Sequence, residues 1–310
     1  MFIFFSVTKQ DIFIKFGTFV SMAMQFPEYG ILSLAVGLFL ISSGIDLSVI
    51  GIANLSSIII AMIMKKGVGS ENAWLSIIFS IIIGFAIGFL AGLLNGVAIS
   101  KLKIPPILTT MGSMQVFSGI AIIVTEGKAI SGLPDAYSSL FNYLIFGVIP
   151  FPLVVFVISA IIISILLSKS NYGRKLYMLG TNANASLFSG INNDHIIIKT
   201  YIYSGLLSVV AALIMMGRTN SAKADYGTSY MLLCVLICVL GGVKTEGWFG
   251  KVSVIVISTI ILQVISSGLN MYQRINNFYK GLIWGVLLVG AMIVNTLVEV
   301  HANQRLRLRR

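Results

Sequence analysis

Nine stretches of this 310-residue chain run apolar, with charge confined to their ends. They fall at about residues 26–45, 49–64, 73–99, 107–125, 143–167, 200–217, 230–243, 252–270 and 278–298. A helix needs roughly 20 apolar residues to cross a bilayer. Inside hydrocarbon, only a structure that satisfies its own backbone hydrogen bonds is tolerated. The runs therefore predict an all-α, polytopic transmembrane helical bundle of about nine spans, with residues 1–310 forming one membrane domain. Composition agrees: 57% of residues are hydrophobic and 10% charged, against roughly 45–50% and 25% in soluble domains. Too little polar side chain remains to cover a water-facing globule. Residues 10–25 are amphipathic and either extend the first span or lie in the interface.

Lys and Arg total 21 against 10 Asp and Glu, giving +11. In a polytopic chain this surplus reports orientation, because Lys and Arg accumulate in cytoplasmic loops; no nucleic-acid partner is needed to explain it. Alternate threading puts twelve basic residues on the side of residues 44–48, 100–106, 169–199, 244–251 and the tail from Glu299, and eight on the other. The first side is expected to be cytoplasmic. It holds the longest loop, 169–199, and an Arg-rich C-terminal tail, and it leaves the N-terminus outside.

Enzyme chemistry finds no foothold. The Gly-Lys pairs at 127–128 and 250–251 lack the leading glycine of a P-loop, so ATP is not bound that way. His195 and His301 stand alone in expected polar loops, and no metal-ligand spacing surrounds them. Nothing pairs a nucleophile with a base, so no catalytic residue and no metal site is expected. Cys234 and Cys238, at i and i+4 in an apolar run, read as packing residues.

Four features remain. Gly84, Gly88, Gly92 and Gly96 form a four-residue ladder that lets another helix approach closely, within the chain or across a subunit interface. Asn95 beside it needs a partner in the bundle or a wet cavity. Asp46, in Ser-Gly-Ile-Asp-Leu-Ser, is either a cap at a helix break, the favoured reading, or part of a solute path. Pro105 and Pro106 open a helix whose first turns carry Thr109, Thr110, Gly112, Ser113 and Gln115, polarity that points to protein or water rather than lipid. Within loop 169–199, Asn182 is placed to N-cap a short helix that Gly190 terminates, with Leu187 and Phe188 on one face. Such a helix is a docking element or an ordinary surface helix.

At this loop the sequence resembles a family. Gly173 through Asn192 reads G-R-K-L-Y-x-L-G-x-N-x-x-A-x-x-x-S-G-I-N, similar to the cytoplasmic loop of permeases of bacterial ABC sugar importers of the ribose and autoinducer-2 type. Residues 43–49, 93–112, and Ser-Gly-Leu-Asn-Met-Tyr (267–272) through Lys280-Gly281 resemble the same family, in order along nearly the whole chain. The resemblance implies a permease subunit in the bacterial cytoplasmic membrane, its C-terminus cytoplasmic, moving a small hydrophilic solute such as a sugar. Its implied partners are a second permease, a cytoplasmic ABC ATPase that binds the ATP, and an extracytoplasmic solute-binding protein. No cofactor is expected on the chain itself. By similarity, Gly173, Arg174, Gly180, Asn182, Ala185, Ser189 and Gly190 belong to the ATPase-coupling loop. Asp46, Asn95, Pro105, Pro106, Thr109 and Gln115 are candidates for the translocation path.

Departures from the pattern are also legible. Family members have ten spans, so the first is expected to be missing here. Tyr226 to Cys234 and Gly241 to Gly250 lack the acidic and small-residue pattern expected in the second half, and Ile50 replaces a glycine. Two alternatives stand beside the importer: a secondary transporter or channel working without ATP, and a degenerate paralogue that needs a second permease. The first would favour ionisable groups deep in the spans, and the apolar runs hold almost none. Asn54, Asn95, Gln115 and Gln263 supply hydrogen-bonding groups suited to a neutral solute.

Overall fold

The computed structural model describes residues 13, 15–68, 73–243, 250–271 and 278–307. Twelve helices carry most of them: α1 (Phe16–Ile41), α2 (Val49–Lys66), α3 (Ala73–Ser100), α4 (Pro106–Thr125), α5 (Asp135–Asn142), α6 (Phe151–Lys169), α7 (Asn171–Thr181), α8 (Ala183–Phe188), α9 (Asn193–Thr219), α10 (Tyr230–Leu240), α11 (Val252–Asn270) and α12 (Phe278–Arg307). Two short antiparallel pairs join them. One is β1 (Ile130–Ser131) with β4 (Ser221–Ala222), the other β2 (Leu144–Ile145) with β3 (Ile149–Pro150).

Each of the nine apolar runs holds a helix. Seven of these, α1, α2, α3, α4, α6, α9 and α11, are long and apolar enough to cross a membrane; α10 and the Gly281–Leu297 part of α12 are shorter apolar helices. The protein is a polytopic helical membrane protein.

Local signals explain where helices stop. Pro105 caps α4 and Pro106 is its first residue, where the missing N–H is no loss. Lys65 and Lys66 close α2, opposite the negative end of its dipole. The Asn192 side chain accepts a hydrogen bond from the His195 N–H at 3.0 Å and starts α9.

Several boundaries differ from the sequence reading. The first span runs over 16–41 instead of 26–45, taking in residues 16–25 of the amphipathic segment; residues 10–12 and 14 lie outside the described residues. The run 143–167 divides: Pro150 and Gly147 turn its first eight residues into the β2–β3 hairpin, and the helix begins only at Phe151. Loop 169–199 is largely helical, and α9 starts at Asn193, not residue 200. His195 and His301 accordingly sit in helices, although His195 is exposed as expected of a solvated residue.

Residues 26–41 of α1 are buried throughout, and α9 packs against both α1 and α3. The glycine ladder makes the α3–α9 contact. A Cβ at Gly88 would stand 2.6 Å from the Gly205 carbonyl oxygen, and one at Gly92 or Gly96 would stand 2.8 Å from the Cα of Ile202 or Ile198. Gly84 instead faces Ile60 of α2 and Val209 of α9. All four glycines thus serve packing within the chain. The two cysteines are buried against the α1 backbone, Cys234 Sγ at 3.5 Å from the Tyr29 carbonyl and Cys238 Sγ at 3.3 Å from that of Ser33.

Candidate functional site

The segment from Ser170 to Asn193 is a chain of short capped helices. Ser170 accepts from the Gly173 N–H at 3.1 Å and begins α7. Gly173 is needed there because a Cβ would meet the Leu167 backbone at 2.5 Å or closer. Asn182 ends α7 and caps α8, its Oδ1 accepting from the N–H groups of Asn184 and Ala185 at 3.0 Å each. Ser189 Oγ donates to the Ala185 carbonyl at 2.9 Å, and Gly190 then takes φ +77°, a left-handed turn that L side chains avoid. The helix expected between Asn182 and Gly190 is therefore present as 183–188.

Ser186 Oγ donates to Asn193 Oδ1 at 2.7 Å, and Asn193 Nδ2 donates to the Ala183 carbonyl at 2.8 Å, tying α8 to the first turn of α9. Leu187 is 60% and Phe188 90% exposed. Two apolar side chains held out to solvent on a fixed short helix form a surface that gains by being covered. Cavities flank it. One of about 500 Å³ is lined by Lys103, Leu187, Gly190 and Asp194. The other, of about 380 Å³, is lined by Ser43, Gly180, Asn182 and Tyr201. Asp194 pairs with Lys103 at 2.9 Å and Lys101 at 3.4 Å, drawing the α3–α4 turn to the same place. Arg174 is exposed and bonds Asn171.

The α1–α2 break reaches this region through Ser43 Oγ, which donates to the Gly180 carbonyl at 3.0 Å. Within the break, Asp46 is 3% exposed. Its Oδ1 accepts from the Ser48 N–H at 2.7 Å and Oγ at 2.5 Å, and Ser204 of α9 lies 3.5 Å from Oδ2. Asn95 of α3 donates to Ser48 Oγ at 2.8 Å, so Asp46 and Asn95 meet through one serine. Asp46 thus caps the turn that leads into α2. Burial raises its carboxyl pKa to about 6, against the hydrogen bonds from Ser48 and Ser204 that favour the charge. Among the described residues, no cation pairs with it.

Of the remaining path candidates, Pro106 lines the cavity of about 380 Å³ beside Ser43 and Tyr201. Thr109 Oγ1 returns to the Pro105 carbonyl at 3.2 Å and Thr110 Oγ1 to that of Pro106 at 2.8 Å, so much of the polarity at the start of α4 is satisfied by its own helix. Pro105 and Gln115 are exposed.

One cluster escaped the sequence reading. Glu28 is 1% exposed well inside α1, where Arg218 Nε and Nη2 donate to its two oxygens at 3.1 and 2.9 Å and the Tyr230 hydroxyl donates to Oε1 at 2.5 Å. This is the exception to spans that hold almost no deep charge: one bidentate pair joins α1 to the end of α9 and the start of α10. Next to it, Tyr29 donates to Gln263 of α11, whose Nε2 donates to Ser267 Oγ at 2.9 Å. Glu28 stood near the edge of its apolar run, so nothing in the sequence distinguished it from a helix end.

A bundle of apolar helices with buried polar ties between them, and a capped helix presented at one end, defines a polytopic membrane protein. Residues 18–294 match the family described as "Branched-chain amino acid transport system / permease component", and the chain belongs to that family. It is 34% identical to the ribose import permease protein RbsC of Bacillus subtilis (strain 168), over 89% of this chain and 84% of that protein. It is 31% identical to the L-arabinose transport system permease protein AraH of Escherichia coli (strain K12), over 90% and 83%. The autoinducer 2 import system permease protein LsrD of Escherichia coli (strain K12) is 27% identical, over 89% and 82%. No solved structure matches.

Proposed function

We propose that this chain is the permease subunit of an ATP-driven importer that carries a small neutral hydrophilic solute, a sugar or autoinducer-2-like molecule, into a bacterial cell by alternating access. The observation that carries this reading is the likeness along nearly nine-tenths of the chain to permeases named for ribose and arabinose. Charge in the spans supports a neutral solute: the buried Glu28 and Arg218 neutralise each other.

The chain itself performs no covalent chemistry in this reading. Its ATPase partner binds the nucleotide and grips α8, with Leu187 and Phe188 as the covered contacts and Gly173, Arg174, Gly180, Asn182, Ala185, Ser189 and Gly190 forming and flanking the helix. A second permease completes the path, and a solute-binding protein delivers cargo to the opposite face. The membrane is the bacterial cytoplasmic membrane, nine helices cross it, and the C-terminus is cytoplasmic, as the excess of basic residues on that side supports.

Co-expression with the candidate ATPase, followed by ribose and arabinose uptake into proteoliposomes, tests the proposal. Uptake is expected only with ATP and binding protein together. Undiminished uptake without nucleotide identifies a secondary transporter or channel instead. ATPase assembly without uptake until a second permease is added identifies a subunit that works only in a heterodimer. For the docking helix, Ala185→Arg is expected to abolish ATPase co-purification while membrane insertion is retained; unchanged co-purification removes α8 as the dock.

A further inference from the structure

The hairpin formed by β2 and β3 is apolar where a water-facing turn would be polar. Residues 143–151 read Tyr-Leu-Ile-Phe-Gly-Val-Ile-Pro-Phe, without a charge or a side chain more polar than tyrosine. Phe146 is 92% exposed at the tip, Tyr143 60%, Val148 48% and Ile149 41%. Phe146 also takes φ +53°, a turn conformation usually left to Gly, Asn or Asp. An aromatic side chain is thus held almost wholly outward at a position that its own backbone disfavours.

The depth of the hairpin follows from the helix after it. Pro150 is the N-cap of α6. Nineteen residues make α6 roughly 29 Å long, about the thickness of the hydrocarbon core. Its exposed side chains include Val157, Ile158, Ile161, Ile162 and Ile165, a surface suited to lipid tails. A helix that just fills the core puts whatever precedes it at headgroup level. Because α3 and α4 cross in opposite senses, the start of α6 shares a membrane side with the start of α3, where Trp74 is also exposed. Exposed aromatics at one level are the pattern of an interfacial belt.

We propose that residues 143–150 form an interfacial anchor, with Phe146 and Tyr143 inserted among the lipid headgroups at the end of α6. Continuity with the lipid-facing side of α6 selects lipid over a docking protein as the occupant, and the absence of charge leaves nothing for a polar partner to recognise. The anchor fixes the level of α6 and, through the β3 contacts with α1, of the buried helix beside it.

Spin labels in nanodiscs of phosphatidylcholine and phosphatidylglycerol test this, using the full chain with both buried cysteines changed to alanine. The label at F146C is expected to collide more with oxygen than with a water-soluble nickel chelate, as at I161C on α6 and opposite to K128C in an exposed turn. V148C gives a second reading of the same hairpin if F146C inserts poorly. A collision ratio matching K128C places the hairpin in water and overturns the proposal. Suppressed collisions with both reagents mean that protein covers it, a second copy or a partner, and overturn it equally.

Discussion

Glu28 sits in α1 with 1% of its surface exposed, a placement sustained by the fork of Arg218 and the hydroxyl of Tyr230. Removing one member of such a pair strands a buried charge, at a cost of roughly 3–5 kcal/mol, whereas removing both costs much less. Arg218→Leu is therefore expected to lower the thermal unfolding temperature in detergent sharply, and Glu28→Leu with Arg218→Leu to recover most of that loss. A double variant as unstable as the single one would show that the pair is not a unit. The glycines give a second test at this scale. Gly88→Leu, with its Cβ 2.6 Å from the Gly205 carbonyl oxygen, is expected to cost at least about 1–3 kcal/mol of stability through overpacking. Gly112→Leu on α4, where nothing lies within 4 Å, is expected to melt like the unaltered protein. The glycine ladder was legible because its spacing alone implies a close helix contact. The ion pair was not, because its partners are 190 residues apart and each lies near the end of an apolar run.

At the scale of single elements, the α1–α2 break carries a prediction in pH. Burial raises the pKa of Asp46 from 3.8 to about 6, so between those values the folded protein holds a proton that the unfolded chain has lost. Stability from this group is full below the lower value, falls as pH rises through the interval and is flat above it. Asp46→Asn removes the charge but keeps an acceptor for Ser48. Its melting temperature relative to the parent is thus expected to rise across that interval, and a constant offset would contradict the assignment. The short helix α8 was foreseeable because Asn182 and Gly190 are strong start and stop signals at the right spacing. The preceding α7 was missed because its apolar positions are interrupted by Arg174, Lys175 and two glycines and so form no continuous apolar run. The hairpin at 143–150 was merged with α6 because hydropathy alone does not separate an apolar strand from an apolar helix; Gly147 and Pro150 were the available signals.

For the whole molecule, threading and charge make one joint prediction. Lys175 and Lys128 belong to opposite sides, so single cysteines there are expected to react with a membrane-impermeant thiol reagent from opposite faces of oriented vesicles, K175C from the cytoplasm. Labelling of both from one face would refute the alternation of spans between them. The polytopic helical class was legible because hydrocarbon admits so few structures. How Asp46 and Asn95 come together was not, because Ser48, the serine that joins them, stands two residues from Asp46 but 47 from Asn95.

The glycine seam between α3 and α9 bears on how the machine moves. Helices in backbone contact over several turns cannot slide or splay without collision, so these two behave as one stiff lever. Hydrogen bonds tie α8 to the end of that lever, so in the proposed importer a pull on α8 would be carried by α9, 27 residues long, about 40 Å to the far side. In the proposed importer, bending is then expected at non-helical breaks such as 42–48 and 220–229.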